Sequence, residues 1–170
     1  FAYRIARNPF VLFVFAPLFL FLVLERFPAA KASRRDRASV WLMNLAILAM
    51  GTGLSFVYGV KAYLLIQLMV TMTAGAGGVW MFYVQHQFED TFWADSDTWK
   101  LQDAALYGSS HYDLPNPLRW LTGNIGVHHV HHLYSKIPFY KLQDVLRDYP
   151  ELASIRRLTL TESFSCIGLS

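Results

Sequence analysis

Two stretches without a charged side chain limit what this chain can fold into. Val40–Val60 runs for 21 residues and Ala62–Val84 for 23, with only Lys61 between them. A helix needs about 20 apolar residues to cross a hydrocarbon core of roughly 30 Å, so each run is long enough to span a bilayer. Gly59 beside Lys61 predicts a tight antiparallel hairpin. Gly51 and Gly53 on the first run, and Gly75, Gly77 and Gly78 on the second, are small residues of the kind that let membrane helices approach closely. Burying both runs in a soluble core would instead need a large protein around them.

A third apolar stretch, Phe10–Leu24, has 15 residues and contains Pro17. Arg4 and Arg7 precede it, and Glu25 and Arg26 follow. It suits a short span or an interfacial helix equally well. A signal-peptide core with Ala30-Lys31-Ala32 as the cleavage site is the other reading, and the missing initiator methionine argues against it. The start at Phe1 leads us to expect an internal fragment of a longer protein.

Charge is distributed unevenly. Residues 1–84 carry eight bases against two acids, and residues 85–170 carry seven bases against ten acids. The basic half is also the apolar half, so a membrane explains the excess of base better than nucleic acid does. Cys166 is the single cysteine, which excludes an internal disulfide and a cysteine-ligated zinc site. Lys31, Arg34, Arg35 and Arg37 lie just before the first long run, and such bases stay on the cytoplasmic side. Two crossings bring the chain back there, so Gln85 and everything after it should face the cytoplasm.

The expectation is therefore an all-α, multi-pass integral membrane protein. It has a short apolar helix in residues 1–30, a transmembrane hairpin over 40–84 and a cytoplasmic helical cap over 85–170. Within the cap, Trp93, Trp99 and Trp120 suit an interfacial aromatic belt. Leu114-Pro115-Asn116-Pro117 should break structure, and Thr122-Gly123-Asn124-Ile125-Gly126 should turn into a helix. Tyr140–Tyr149, between Pro138 and Pro150, should be an amphipathic helix.

Chemistry concentrates in His128-His129-Val130-His131-His132. On a helix turning about 100° per residue, His128, His131 and His132 share one face, with His129 at its edge. Three neutral imidazoles on one side suit iron, copper, nickel or zinc better than magnesium or calcium. His86 follows the second long run, on the same predicted side as the cluster, and is a further candidate ligand. Glu89 and Asp90, three and four residues on, are candidate acceptors for the other ring N–H of a ligating histidine, although at least one of them reads as an ordinary interfacial acid. His111 lacks a partner at ligand spacing and reads as a surface polar residue or an outer neighbour of the site. Asp144 and Glu162 read as solvated helix charges.

Phe82-Tyr83-Val84-Gln85-His86-Gln87-Phe88-Glu89-Asp90-Thr91 and Leu121-Thr122-Gly123-Asn124-Ile125-Gly126-Val127-His128-His129-Val130-His131-His132-Leu133, with Ser135-Lys136-Ile137-Pro138-Phe139-Tyr140 after them, resemble the membrane fatty acid desaturases, in particular the bacterial-type acyl desaturases. The resemblance covers nearly the whole chain. It implies two irons held by three histidine boxes and one further histidine near the last span. His128, His131 and His132 would be the third box and His86 the extra ligand, with His129 at a variable position. The first two boxes are absent here, so about half of an expected set of around eight imidazoles is present and this polypeptide alone should be inactive.

The resemblance further implies O₂-dependent insertion of a cis double bond into an acyl chain linked to lipid, CoA or a carrier protein. Electrons would come from ferredoxin or a cytochrome, and the bases Lys31, Arg34, Arg35 and Arg37 could attract an acidic carrier. Trp80, Phe82, Tyr83, Phe88, Phe92 and Trp93 are candidates for lining an acyl groove. Two other readings remain. A related di-iron hydroxylase, ketolase or acetylenase shares the ligand logic. A membrane metal transporter or sensor would need polar residues within the spans, where Asn44, Gln67 and some hydroxyls are all that occur.

Overall fold

The computed structural model describes residues 8–169. Arg4 and Arg7, the bases expected before the first apolar stretch, lie outside the described residues. The chain divides into two units, Phe1–Trp80 and Met81–Ser170.

In the first unit, the stretch around Pro17 forms a π-helical turn, Val11–Phe15, that runs into helix α1, Ala16–Leu22. Pro17 sits in the first turn of α1, where its missing N–H leaves no hydrogen bond unmade. A 3₁₀ turn, Leu24–Arg26, closes the segment. Helix α2, Arg34–Tyr58, begins with a capping box: Ser33 Oγ accepts from Asp36 N at 3.2 Å, and Ser33 N donates to the Asp36 carboxylate at 3.2 Å. Asn44, the amide within the first apolar run, donates to the Arg26 carbonyl at 2.7 Å and accepts from the Arg26 guanidinium at 3.3 Å. Its polar group is thereby satisfied inside the protein, as an apolar surrounding requires.

Gly59 ends α2 with φ +84°, a value glycine adopts at no steric cost, and helix α3, Val60–His86, starts at the next residue. Both helices are long and apolar enough to cross a membrane. The expected tight packing is confined to small residues. The Tyr63 hydroxyl lies where a Cβ on Gly51 would fall, and Pro17 and Phe21 crowd Gly75 in the same way. Gly53, Gly77 and Gly78 face open space. Only 6% of each helix's most apolar window is buried.

The second unit is built of short pieces. Helix α4 is Leu101–Tyr107, strand β1 His111–Asp113, helix α5 Asn116–Leu121 and helix α6 His128–Leu133. A 3₁₀ turn, Phe139–Lys141, leads into α7, Leu142–Asp148, and then α8, Pro150–Ala153; strand β2, Arg157–Thr159, and a final 3₁₀ helix, Glu162–Gly168, complete it. The pair β1–β2 is parallel, with Tyr112 opposite Leu158, and corrects the all-α expectation. Three-residue strands carry too little alternation to be read from sequence. The expected helix over Tyr140–Tyr149 is present but shorter, and Pro117 opens α5 where only a break was anticipated. Glu162 is an exposed charge at the start of the final 3₁₀ helix, as expected, and its carboxylate accepts from Thr159 N at 2.8 Å. Asp144 is paired with Lys141 and Arg147, both at 3.0 Å.

Val127, Val130 and Leu142 form the core of this unit, each at most 2% exposed, with Ile137, Val145, Leu146 and Leu152 against them. Burying a side chain of this size contributes about 1.5–3 kcal/mol, so α6 and α7 are pinned through these residues. Gly126 passes so close to the Tyr112 carbonyl that a Cβ would collide with it. In return, Tyr112 N donates to the Gly126 carbonyl at 2.8 Å. This contact ties β1 to the segment that launches the histidine helix.

Candidate metal centre

Two left-handed residues, Gly123 at φ +60° and Asn124 at φ +55°, reverse the chain ahead of α6. Asn124 is among the residues that tolerate this region, and its amide donates to the Phe139 carbonyl at 3.1 Å. The turn delivers His128 as the first residue of α6, so His128 and His132 are one turn apart on one face. His86, the last residue of α3, meets them.

Three Nε2 atoms converge there. His132 Nε2 lies 3.0 Å from His128 Nε2 and 3.1 Å from His86 Nε2, and one nitrogen from each of the three lies within 4.8 Å of the others. His86 Nδ1–H donates to the Phe82 carbonyl at 2.8 Å, which leaves its Nε2 as a bare lone pair aimed at the cluster. Lone pairs converging in this way repel unless a proton or a cation lies between them. Two nitrogens about 2.1 Å from an ion and at right angles to one another stand about 3.0 Å apart, so each of these two separations matches a pair of nitrogens sharing a first-row metal ion. His128 is buried, His86 half-buried and His132 exposed, so one side of the cluster is open to further ligands.

Protonation is suppressed where it would compete with metal. His128 is pushed down to about 3, first by burial and then by the neighbouring imidazoles of His86, His132 and His131. His132 is also lowered, by burial first and then by His86 and His131. Metal binding requires neutral imidazole, and both rings are shifted toward the neutral form, His128 strongly.

His131 does not join the trio. Its ring stacks on His128 with centroids 5.8 Å apart and lies 6.0 Å from His132. His129 is fully buried on the other side of α6, where its Nε2–H donates to the Leu152 carbonyl at 2.9 Å.

Residues 1–163 match the fatty acid desaturase family. This chain belongs to that family. It is 42% identical over 167 residues to a fatty acid desaturase of Bacillus subtilis (strain 168), an alignment covering 98% of this chain and 47% of that protein. The desaturase-family chain thus spans about half the length of that relative. No solved structure matches it significantly.

Several outer positions differ from expectation. The acceptor for the second nitrogen of His86 is a backbone carbonyl, not Glu89 or Asp90. The α-helix stops at His86 and Asp90 turns left-handed at φ +64°, so the shared helical face that would have brought those acids back to His86 ends before them. Instead both line a cavity of about 500 Å³ with Phe88, Glu151 and Arg156. His111 is buried at 4% exposure, not on the surface, because β1 is covered by β2 and bridged to Val127. It lies 5.9 Å from His129, ring to ring.

The aromatic candidates also separate. Phe82 stacks on His86 with centroids 4.5 Å apart, Phe88 is buried, and Trp93 is 83% exposed. Sequence reasoning missed Gln85, which is 1% exposed and donates to the Ile125 carbonyl at 3.0 Å. Its signal was a polar amide one residue before a candidate ligand, at the end of an apolar helix.

Proposed function

We propose that this chain supplies part of the histidine ligand set of a membrane-bound di-iron fatty acyl desaturase, an oxidoreductase that introduces a cis double bond. One observation carries the reading. Imidazoles from two distant stretches, His86 and His128–His132, converge in a chain of the desaturase family, with His132 Nε2 3.1 Å from His86 Nε2 and 3.0 Å from His128 Nε2. His86, His128 and His132 would hold one ion, and His131, stacked on His128 but outside the trio, would hold the second. Remaining ligands come from outside these residues.

Iron in such a site supplies the O₂ activation and hydrogen abstraction that no side chain here can perform. The chain's own residues have narrower tasks. The Phe82 carbonyl fixes the tautomer of His86, and burial holds the His128 ring neutral. Helices α2 and α3 cross the bilayer and return the histidines to the cytoplasmic side, where a ferredoxin or cytochrome delivers electrons. The substrate is an acyl chain, whose carrier is lipid, CoA or an acyl carrier protein.

Metal analysis of the longer protein containing this chain, followed by gas chromatography of fatty acids from cells expressing it, tests the proposal. Two irons per chain and new cis-unsaturated products are expected. Only hydroxylated or ketone products would move it to a related oxygenase, and exchangeable zinc without oxidised products would leave transport as the explanation.

A further inference from the structure

Gln85 occupies the last turn of α3, one residue before His86, and its side chain is buried. Its amide Nε2–H donates to the Ile125 carbonyl at 3.0 Å, and its backbone carbonyl accepts from Ser110 N at 3.0 Å. Ile125 stands three residues ahead of His128, at the turn that starts α6. One buried amide thus joins the segment carrying one ligand to the segment carrying the others.

We propose that Gln85 is a positioning residue for the metal centre: it clamps the Ile125 carbonyl, setting the separation of His86 from His128 and His132. The inference rests on the reading of that trio as a metal site. Groups that orient metal-ligating histidines change affinity by about 10–100-fold when removed, without touching the ion. The Phe82 carbonyl orients His86 directly within one helix; Gln85 instead holds two segments together, fixing where the start of α6 stands relative to the end of α3.

The test is a Co²⁺ titration of the full chain in detergent micelles, followed by its d–d absorption, for wild type, Gln85→Met and Ser110→Ala. Methionine keeps the length and burial of Gln85 without its donor. Ser110, fully buried with its hydroxyl 3.4 Å from the Val84 carbonyl, controls for damage to the same region of the fold. Gln85→Met should weaken Co²⁺ binding roughly 10–100-fold and alter the d–d band, while Ser110→Ala lowers the melting temperature and leaves both unchanged.

Equal affinity and an identical spectrum in Gln85→Met would overturn the proposal, as would equal losses in both variants. Failure of the wild type to bind Co²⁺ would overturn the metal-site reading itself. A further readout needs no variant: in nitrogen-labelled wild type, the Gln85 side-chain amide signal should move when Zn²⁺ is added, and a stationary signal sinks the idea.

Discussion

At the scale of single residues, the division of labour among the histidines decides the chemistry. His128→Ala or His132→Ala removes one of three converging nitrogens and should weaken binding of the first metal ion by at least 100-fold. His131→Ala should leave that binding nearly intact and lower the metal content of the longer protein toward one ion. Isothermal titration and iron analysis distinguish the two outcomes, and a His131 variant as weak as His128→Ala would contradict the assignment. The backbone makes its own demand at Gly126, where a Cβ would strike the Tyr112 carbonyl. Gly126→Ala should destabilise the chain by about 1–3 kcal/mol, the usual cost of overpacking, as read from denaturant unfolding.

Among the elements, α2 depends on its cap and α3 on one close approach. Ser33→Ala removes the acceptor for Asp36 N and should cost about 1 kcal/mol, concentrated in the first turn. Hydrogen exchange should therefore quicken at Asp36 and Arg37 while mid-helix amides stay protected. At Gly75, where a Cβ would lie 2.7 Å from Pro17 Cβ, a branched side chain has no room. Gly75→Val should displace α1 from α3, seen as faster hydrogen exchange in Ala16–Leu22 than in the unsubstituted chain; unchanged exchange there would contradict it.

The element scale also shows what could be read in advance. The two spanning-length helices follow from charge-free runs and needed no tertiary information. The histidine helix followed from the turn residues before it and from its own spacing. The β1–β2 pair did not, since each strand is three residues long and is made by its partner and not by its own pattern. Glu89 and Asp90 misled for a related reason: their spacing from His86 matters only if the helix continues, and it stops at His86.

For the molecule as a whole, acid should act through its buried histidines. His111 and His129 are held down to about 4 from an ordinary 6.5, chiefly by burial. Above pH 6.5 both are neutral folded or unfolded, and their contribution to stability is complete. As pH falls from 6.5 to 4, the unfolded chain takes up protons that the folded chain refuses, so stability is lost across that window. The loss approaches about 3 kcal/mol for each ring. Unfolding midpoints measured from pH 7.5 to about 4 should fall accordingly, and His111→Leu should flatten part of the slope; a flat wild-type profile would refute the account.

Sequence alone determined that this chain carries two bilayer-length apolar helices and a histidine-rich helix, because hydropathy and helical spacing are local properties. It also determined the desaturase family, through motifs lying within a few residues of one another. Which nitrogens meet was decided only by the tertiary structure. His86 and His132 are 46 residues apart, and their 3.1 Å separation depends on where α3 ends, how Gly123 and Asn124 turn the chain, and what Gln85 holds in place. Helical spacing gave His131 the same standing as His132; packing turned one into the trio and left the other beside it.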